Sequence, residues 1–481
     1  MRYFLYVSGG LLLVLIIVIL FNTVRYSKEL PKHAAQPITG ISDSAALHLS
    51  EAIQIKTVSY GESLPIDSAA FHAFRRFMEV TYPLVHQHLE RTIFSEFSFV
   101  YKWQGRNASL KPYVIMAHMD VVPVEEAAEK NWSVPSFSGT IKDNYIWGRG
   151  AVDDKSSLVA ILEAAEQLLS QNYQPERNIY LCFGHDEEIA GLRGMKLIAE
   201  WFKSNNIQPE LVLDEGGEVN TQNMKELNRP LAVLGVGEKG YVTYQLQVEK
   251  AGGHSSMPEK ETAIDILTRA LSKLRQKQMP ARITDPVQQM FNTIGPGMSF
   301  TSRMAFANPW LFKSLTIRQL EKNNRTNAMV HTTVVPTIIQ AGVKDNVIPT
   351  VATATVNSRI LPGETSADVE NFIKKTINDD RIQVQRVEKL TIEPSKTTPV
   401  SSHAYQMISS IVYKMVPDVV VSPYLVIGAT DSRYFRDFAD GVINFLPIID
   451  TKGFHGVDER VGVEDLKRMI FFYKAVMQEN K

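Results

Sequence analysis

The chain opens on an unbroken apolar run and then changes rhythm. Between Arg2 and Arg25 no charged residue occurs, and the run contains LLLVLIIVILF. Roughly 22 residues at about 1.5 Å each cover about 33 Å, enough to cross a bilayer core. The run is followed by the polar stretch RYSKELPKHAAQP, so it reads as a transmembrane signal anchor over residues 3–24 with a linker over 25–40. A cleaved signal peptide is the competing reading, but FNTVRYSKEL contains no small-residue cleavage site. Arg2 on one side against Arg25, Lys28 and Lys32 on the other specifies orientation weakly; with so short a tail, the body of the protein is expected outside the cytoplasm.

From residue 41 to about 234, helical and strand-like periods alternate. SLVAILEAAEQLL (157–169) has helical spacing, NIYLCFG (178–184) is β-like, LRGMKLIAEWFKSN (192–205) is helical again, and PELVLDEGG (209–217) is a strand entering a glycine turn. Alternation at this spacing predicts βαβ units and a mainly parallel sheet. Near Gly235 the pattern shifts. GYVTYQLQVEKAGGHSSMP starts with β alternation, AIDILTRALSKLRQK (263–277) is an amphipathic helix, and TTVVPTIIQAGVKDNVIPTVATATVNSRILPGE returns to strand-rich sequence. Residues 235–395 are therefore expected to form a smaller α+β domain inserted into the catalytic one, whose parts span 41–234 and 396–481.

Length supports two domains, because 481 residues exceed what one core usually serves. Charge is balanced, 51 Lys and Arg against 52 Asp and Glu, and scattered, which leaves no electrostatic argument for a nucleic-acid partner. The one cysteine, Cys182, lies in the apolar run NIYLCFG and reads as a core thiol rather than a nucleophile.

The chemistry sits where apolar runs end. YVIMAHMD closes at Asp120, GRGAVDDK runs from Gly148 to Lys155, and GHDEE (184–188), LVLDEGG (211–217) and GFHG (453–456) follow. Two imidazoles, several carboxylates and a spare acid are what a pair of divalent metal ions needs. This is the pattern of a metal-dependent hydrolase.

In their order AHMD, GRGAVDDK, GHDEE, VLDEGG, GGHSSMP, SRILPG and GFHG, these motifs resemble the di-zinc peptidase family of carboxypeptidase S, aminoacylase and glutamate carboxypeptidase, over about residues 45–478. GHDEE, DEGG and GATDSRYF (428–435) are most similar to the carboxypeptidase S branch, which includes hydrolases of N-fatty-acyl amino acids; Ala429 stands where that branch often has a glycine.

The resemblance implies an α/β fold, a mainly parallel-sheet catalytic domain carrying an inserted lid or dimerisation-type domain, and two zinc ions per subunit, with cobalt or manganese able to substitute. It implies His118, Asp153 and Asp214 on one ion and Asp153, Glu188 and His455 on the other, with Asp120 orienting His118. Asp154 rivals Asp153 for the bridge, and Glu215 and Glu218 compete for the role of Asp214. Glu187 is the implied general acid/base, whereas His185 and Asp186 read as structural. His254 is implied as an oxyanion-stabilising residue, often supplied by a neighbouring subunit of a homodimer. Arg359, Asn346 and Gly428 are implied to hold the substrate, with Arg433 a further contributor; a guanidinium suits a free carboxylate because two parallel hydrogen bonds orient it.

The expected reaction is hydrolysis of an amide bond to an amino acid with a free carboxylate, a carboxypeptidase or N-acyl-amino-acid amidohydrolase activity on a small molecule or peptide. A dipeptidase or aminopeptidase is the alternative within enzymes, and an inactive membrane-anchored binding protein the alternative outside them. The first is opposed by Arg359 and Asn346, the second by the intact Glu187 and metal set. Acyl preference and the direction of the reaction are open to sequence.

Overall fold

The computed structural model describes residues 2–61, 64–222, 226–387 and 391–479. Strands Tyr113–His118, Ile179–Gly184 and Leu211–Asp214 are buried along their whole lengths, as expected of apolar runs covered on both faces. Their pleat sorts side chains into two layers. Tyr113, Ile115 and Ala117 join Leu158, Ile161, Leu211, Leu213 and Met469 in one core. Val114 and Met116 join Cys182, Ile198, Phe202 and Val212 in the other. Helices Lys155–Ser170 and Val463–Met477 cover the first face, and Met195–Ser204 covers the second. Cys182 is buried in that second core.

The sheet is nine-stranded and mixed, not mainly parallel. Parallel pairing joins Ile179–Gly184, Tyr113–His118, Leu211–Asp214 and Val442–Asn444 in the middle, and Leu231–Glu238 to Val420–Val426 at one edge. Antiparallel pairing joins Glu90–Phe94 to Ser98–Trp103, Ser98–Trp103 to Ile179–Gly184, and Val219–Asn220 to Leu231–Glu238. Short connections explain the difference. Only three residues separate Phe94 from Ser98, with Ser95 and Glu96 at positive φ, and a turn that short can only join antiparallel neighbours.

A second, four-stranded antiparallel sheet runs in the order Thr333–Ala341, Val351–Ile360, Gly240–Glu249, Ile382–Arg386. Burial alternates strictly along Val351–Ile360, so one face packs on helices Ala263–Gln276 and Ser366–Ile377 and the other is open. The helices between these strands, from Asp285–Ile294 to Asn324–Val330, pack elsewhere. They share a core with Leu231, Val233, Val420 and Leu425 of the large sheet, and they also receive the N-terminal helix Arg2–Tyr26.

A small sheet pairs Tyr145–Trp147 with both Ile141–Lys142 and Arg460–Gly462. It ties the loop before Asp153 to the loop after His455.

Candidate metal centre and cleft

His118 ends its strand at the carboxyl edge of the large sheet, where open α/β sheets bind ligands. Its Nδ1 lies 2.9 Å from the carbonyl oxygen of Asp120 and 3.3 Å from that residue's Oδ1. This partner holds the proton on Nδ1 and leaves Nε2 facing inward. Asp120 is fully buried and holds more than the imidazole. Its Oδ1 accepts the Glu187 N–H at 3.1 Å, and its Oδ2 accepts the Glu188 N–H at 3.2 Å and the Ser59 hydroxyl at 2.8 Å. One carboxylate therefore sets both the histidine and the backbone that carries the two glutamates.

Asp153 spans the two imidazoles. Its Oδ1 is 2.8 Å from His118 Nε2 and its Oδ2 is 2.6 Å from His455 Nε2. Glu215 Oε1 stands 3.3 Å from His118 Nε2, and Glu188 Oε1 stands 3.4 Å from His455 Nε2. The result is two half-sites, each with one imidazole and one glutamate, sharing an aspartate. Ligand atoms of His118, Asp153 and Glu188 lie within 4.8 Å of one another, as do those of His118, Asp154 and Glu215.

Asp214 is not among them. The pleat points it with Val212 toward the short turn Asp431–Tyr434, where Asp214 Oδ2 accepts the Ser432 N–H at 2.8 Å. Glu215, the first residue past the strand, crosses the sheet edge instead. Gly216 has φ +131°, and a Cβ on Gly217 would meet the Val233 carbonyl oxygen at 2.0 Å. The two glycines thus let the chain turn away directly behind Glu215.

The electrostatics fit a cation. Burial pushes Glu215 up to about 8, with the charge of Asp153 adding to it, and pushes Glu187 well above the usual carboxylate range. Burial also works to raise Asp153, but hydrogen bonds from His118 and His455 outweigh it and hold its carboxyl low. Asp153 and then Glu188 drive His455 up to about 10. Asp154 Oδ1 is buried without a hydrogen-bond partner, and Glu188 Oε1 is buried with only the 3.4 Å contact to His455. Crowded carboxylates, two inward imidazole nitrogens and an orphaned oxygen, with no thiolate, form a donor set suited to zinc.

A second buried device joins the loops. Glu459 Oε1 accepts N–H groups from Gly150, Val152 and Asp153 at 3.0, 2.8 and 3.2 Å, while Oε2 pairs with Arg149. Arg149 also donates to the carbonyls of His455 and Gly456, each at 3.2 Å. The pair thereby fixes Asp153 against His455. Sequence reasoning missed both residues, although each sits inside a quoted segment or just beyond it. His185 and Asp186 serve the loop: His185 Nδ1 is 2.6 Å from Ser98 Oγ, and Asp186 Oδ2 accepts the Arg193 N–H at 2.8 Å.

A cleft of about 890 Å³ opens over the half-sites, lined by Asp153, Glu187, Glu188, Glu215 and His455 below and by Arg359, Gly428 and Arg433 to the side. Arg359 projects from Val351–Ile360 with its guanidinium 4.7 Å from the Tyr241 ring centre. Arg433 donates to the Ala190 carbonyl at 2.8 Å. A Cβ on Gly428 would meet only open space. Tyr424, Val426, Ile427, Leu446 and Phe454 give the cleft an apolar wall. His254 and Asn346 do not reach it within the chain. They sit side by side at the small two-stranded antiparallel ladder of Gly253–His254 with Val347–Ile348, where the Ser255 N–H donates to the Asn346 carbonyl at 3.2 Å and His254 Nδ1 is 2.8 Å from Ser256 Oγ.

Residues 114–479 match the profile of peptidase family M20/M25/M40. A probable carboxypeptidase S-like protein of Dictyostelium discoideum is 37% identical, over 98% of this chain and 93% of its own. The N-fatty-acyl-amino acid synthase/hydrolase PM20D1 of Xenopus tropicalis is 35% identical over the same shares. Among solved structures, an M20 family metallo-carboxypeptidase of Sulfolobus solfataricus superposes with a TM-score of 0.66 at 19% identity, over 91% of this chain and 99% of that one, and shares its fold.

Proposed function

The chain belongs to peptidase family M20/M25/M40 and is a metal-dependent hydrolase of amide C–N bonds, and we propose that its substrates are N-acylated or C-terminal amino acids with a free carboxylate. The observation that carries this reading is the placement of the Arg359 guanidinium in the cleft that holds Glu187 and the paired half-sites. The names of its relatives agree with it.

In this reading His118 and Glu215 would hold one zinc ion and His455 and Glu188 a second, with the Asp153 carboxylate shared between the two half-sites. When bound, such a pair supplies Lewis acidity toward the scissile carbonyl and the attacking water. Glu187, raised in pKa by burial, accepts a proton from that water and returns it to the leaving nitrogen. Arg359 orients the substrate carboxylate through two parallel hydrogen bonds, with Arg433 close by, and the apolar wall receives the acyl group. His254, exposed on the inserted domain with the half-buried Asn346 beside it, is available to the cleft of a second copy, which makes a homodimer part of the proposal.

The helix Arg2–Tyr26 is long and apolar enough to cross a membrane, and we read it as an anchor with the catalytic body outside the cytoplasm. Resistance to alkaline extraction and sensitivity to external protease in intact cells check both points.

The decisive experiment uses Glu187→Gln and Arg359→Ala. Glu187→Gln should lower kcat by about 10²–10⁴-fold at unchanged zinc content; near-normal turnover rejects the general-base role. Arg359→Ala should lose most on N-acyl amino acids with a free carboxylate. An equal loss on C-terminally amidated analogues rejects carboxylate recognition.

A further inference from the structure

The last two turns of the N-terminal helix are held by the catalytic body rather than left free. Asn22 Nδ2 donates to Asn308 Oδ1 at 2.9 Å, Asn308 Nδ2 reaches the Ile19 carbonyl at 3.3 Å, and the Tyr26 hydroxyl donates to the Phe291 carbonyl at 2.6 Å. Arg303 Nη1 adds a bond to Ser27 Oγ at 2.5 Å. The helices that receive it, Phe300–Ala307 and Pro309–Leu320, expose Phe300, Trp310, Leu311 and Leu315 to the outside. Over residues 300–320 the charges are Arg303, Lys313 and Arg318, with no acidic residue. Exposed aromatic and leucine side chains interleaved with basic ones are the composition of helices that lie in a membrane interface.

Length makes the same point independently. With Ile19 to Tyr26 engaged by the body, the free apolar part, residues 3–18, is about 24 Å long at about 1.5 Å per residue, short of a hydrocarbon core of about 30 Å. The shortfall closes if the receiving helices themselves sit at the level of the lipid headgroups.

We propose that helices Phe300–Ala307 and Pro309–Leu320 form a ledge that docks on an anionic bilayer surface beside the anchor. This rests on the anchor reading of Arg2–Tyr26. The partner is lipid rather than a second copy because the ledge continues from the anchor and the charges of its own residues are all positive, with the Glu226 carboxylate, bonded to Ser302 Oγ at 2.8 Å, the acidic group beside them. Arg325, a short way along the chain from the ledge, lines the cleft, so the docked ledge holds the cleft close to the membrane.

The test uses the full chain reconstituted in vesicles of equimolar phosphatidylcholine and phosphatidylserine, the acyl chains carrying bromine as a contact quencher. Cys182 is the only cysteine and is buried, so single cysteines introduced at the exposed positions Leu315, Leu12 and Val343 take an environment-sensitive dye selectively. Leu315→Cys reports the ledge, Leu12→Cys the anchor, and Val343→Cys the solvent side of the inserted domain. Quenching at 315 and 12 but not at 343 is expected. Quenching at 12 without excess at 315 over 343 overturns the ledge and leaves the anchor standing. Quenching at 315 without 12 supports the ledge and overturns the anchor, and quenching at neither overturns both. A dye at 315 shielded from aqueous iodide yet untouched by bromolipid overturns lipid in favour of a protein partner. Adding Lys313→Gln and Arg318→Gln should lower the docked-to-undocked ratio by about 30-fold in these vesicles; no change overturns the choice of anionic lipid.

Discussion

Replacing Asp120 with Asn should disable the site without touching a metal ligand. The native carboxylate accepts three hydrogen bonds, from the Glu187 N–H on Oδ1 and from the Glu188 N–H and the Ser59 hydroxyl on Oδ2, and its Oδ1 also faces His118 Nδ1 at 3.3 Å beside that ring's closer contact with the Asp120 carbonyl. An asparagine keeps one acceptor oxygen. If that oxygen takes the Oδ1 position, His118 and Glu187 retain a neutral partner, but the side-chain NH₂ then faces the Glu188 N–H, donor against donor. The Ser59 hydroxyl can rotate to accept, whereas the buried backbone N–H cannot. Leaving it unpaired costs about 1–3 kcal/mol. The imidazole also loses its charged partner, and changes of this kind at metal-bound histidines cost about 10–100-fold in metal affinity or activity. Zinc affinity should be measured by competition with a chromogenic chelator, kcat on an N-acyl amino acid at saturating zinc, and Tm on the chelated protein. Weaker zinc binding together with lower kcat and a lower Tm is expected. Zinc affinity and turnover indistinguishable from the parent would show that Asp120 neither orients His118 nor holds the glutamate loop.

On the proposed two-zinc assignment, Glu215→Gln should lower bound zinc from two equivalents toward one by metal analysis, while Asp214→Asn should keep the metal and lose stability through the Ser432 contact; the reverse pattern restores Asp214 as the ligand. In chelated protein, the pKa of His455 is raised to about 10 from an ordinary value near 6.5. Its contribution to stability is then complete below about pH 6.5 and is lost as pH rises through about 10. The Tm difference between the parent and His455→Gln should therefore shrink across that window, and a constant difference contradicts the ion-pair assignment. Because a metal takes the same Nε2 lone pair, zinc binding should release protons and tighten with rising pH, measured by calorimetry in buffers of different ionisation enthalpy. Glu459→Gln removes the charge that faces Arg149 and three backbone N–H groups, so both zinc affinity and Tm should fall; a Tm loss at full zinc affinity confines Glu459 to stability.

What was legible in the sequence followed from local rules. A continuous apolar run marks a strand covered on both faces, and His118, the 184–188 segment and the 211–217 segment each fall where such a run ends. That places the candidate chemistry on the carboxyl edge of a sheet. The direction of the flanking strands was less legible, because alternation of helix and strand suggests crossovers and conceals short hairpins such as the one after Phe94. The inserted region posed a different difficulty. Helical period alone does not say which core a helix joins, and the helices from Asp285 to Val330 pack on the large sheet although strands of the small one flank them in sequence.

The Asp214 and Glu215 pair marks the limit of such reading. Both are acidic and adjacent, and counting along the chain cannot choose between them, because the choice depends on where the strand stops. Asp214 is still within the pleat and points with Val212, into a layer where the Ser432 N–H spends its oxygen. Glu215 is one residue past the last ladder pairing, and the two glycines behind it let its side chain turn across the edge. The Arg149 and Glu459 link was hidden for a related reason. It joins residues 310 apart in sequence, and neither stands at a position where periodicity marks chemistry. Yet this pair, together with the small sheet, holds the loop of Asp153 to the loop of His455, two motifs that sequence order alone leaves separate. The candidate ligands His118, Glu188 and Glu215 were thus readable as residue types near strand ends and Asp153 and His455 as loop residues, while their mutual geometry depends on buried charges whose only signature is three-dimensional.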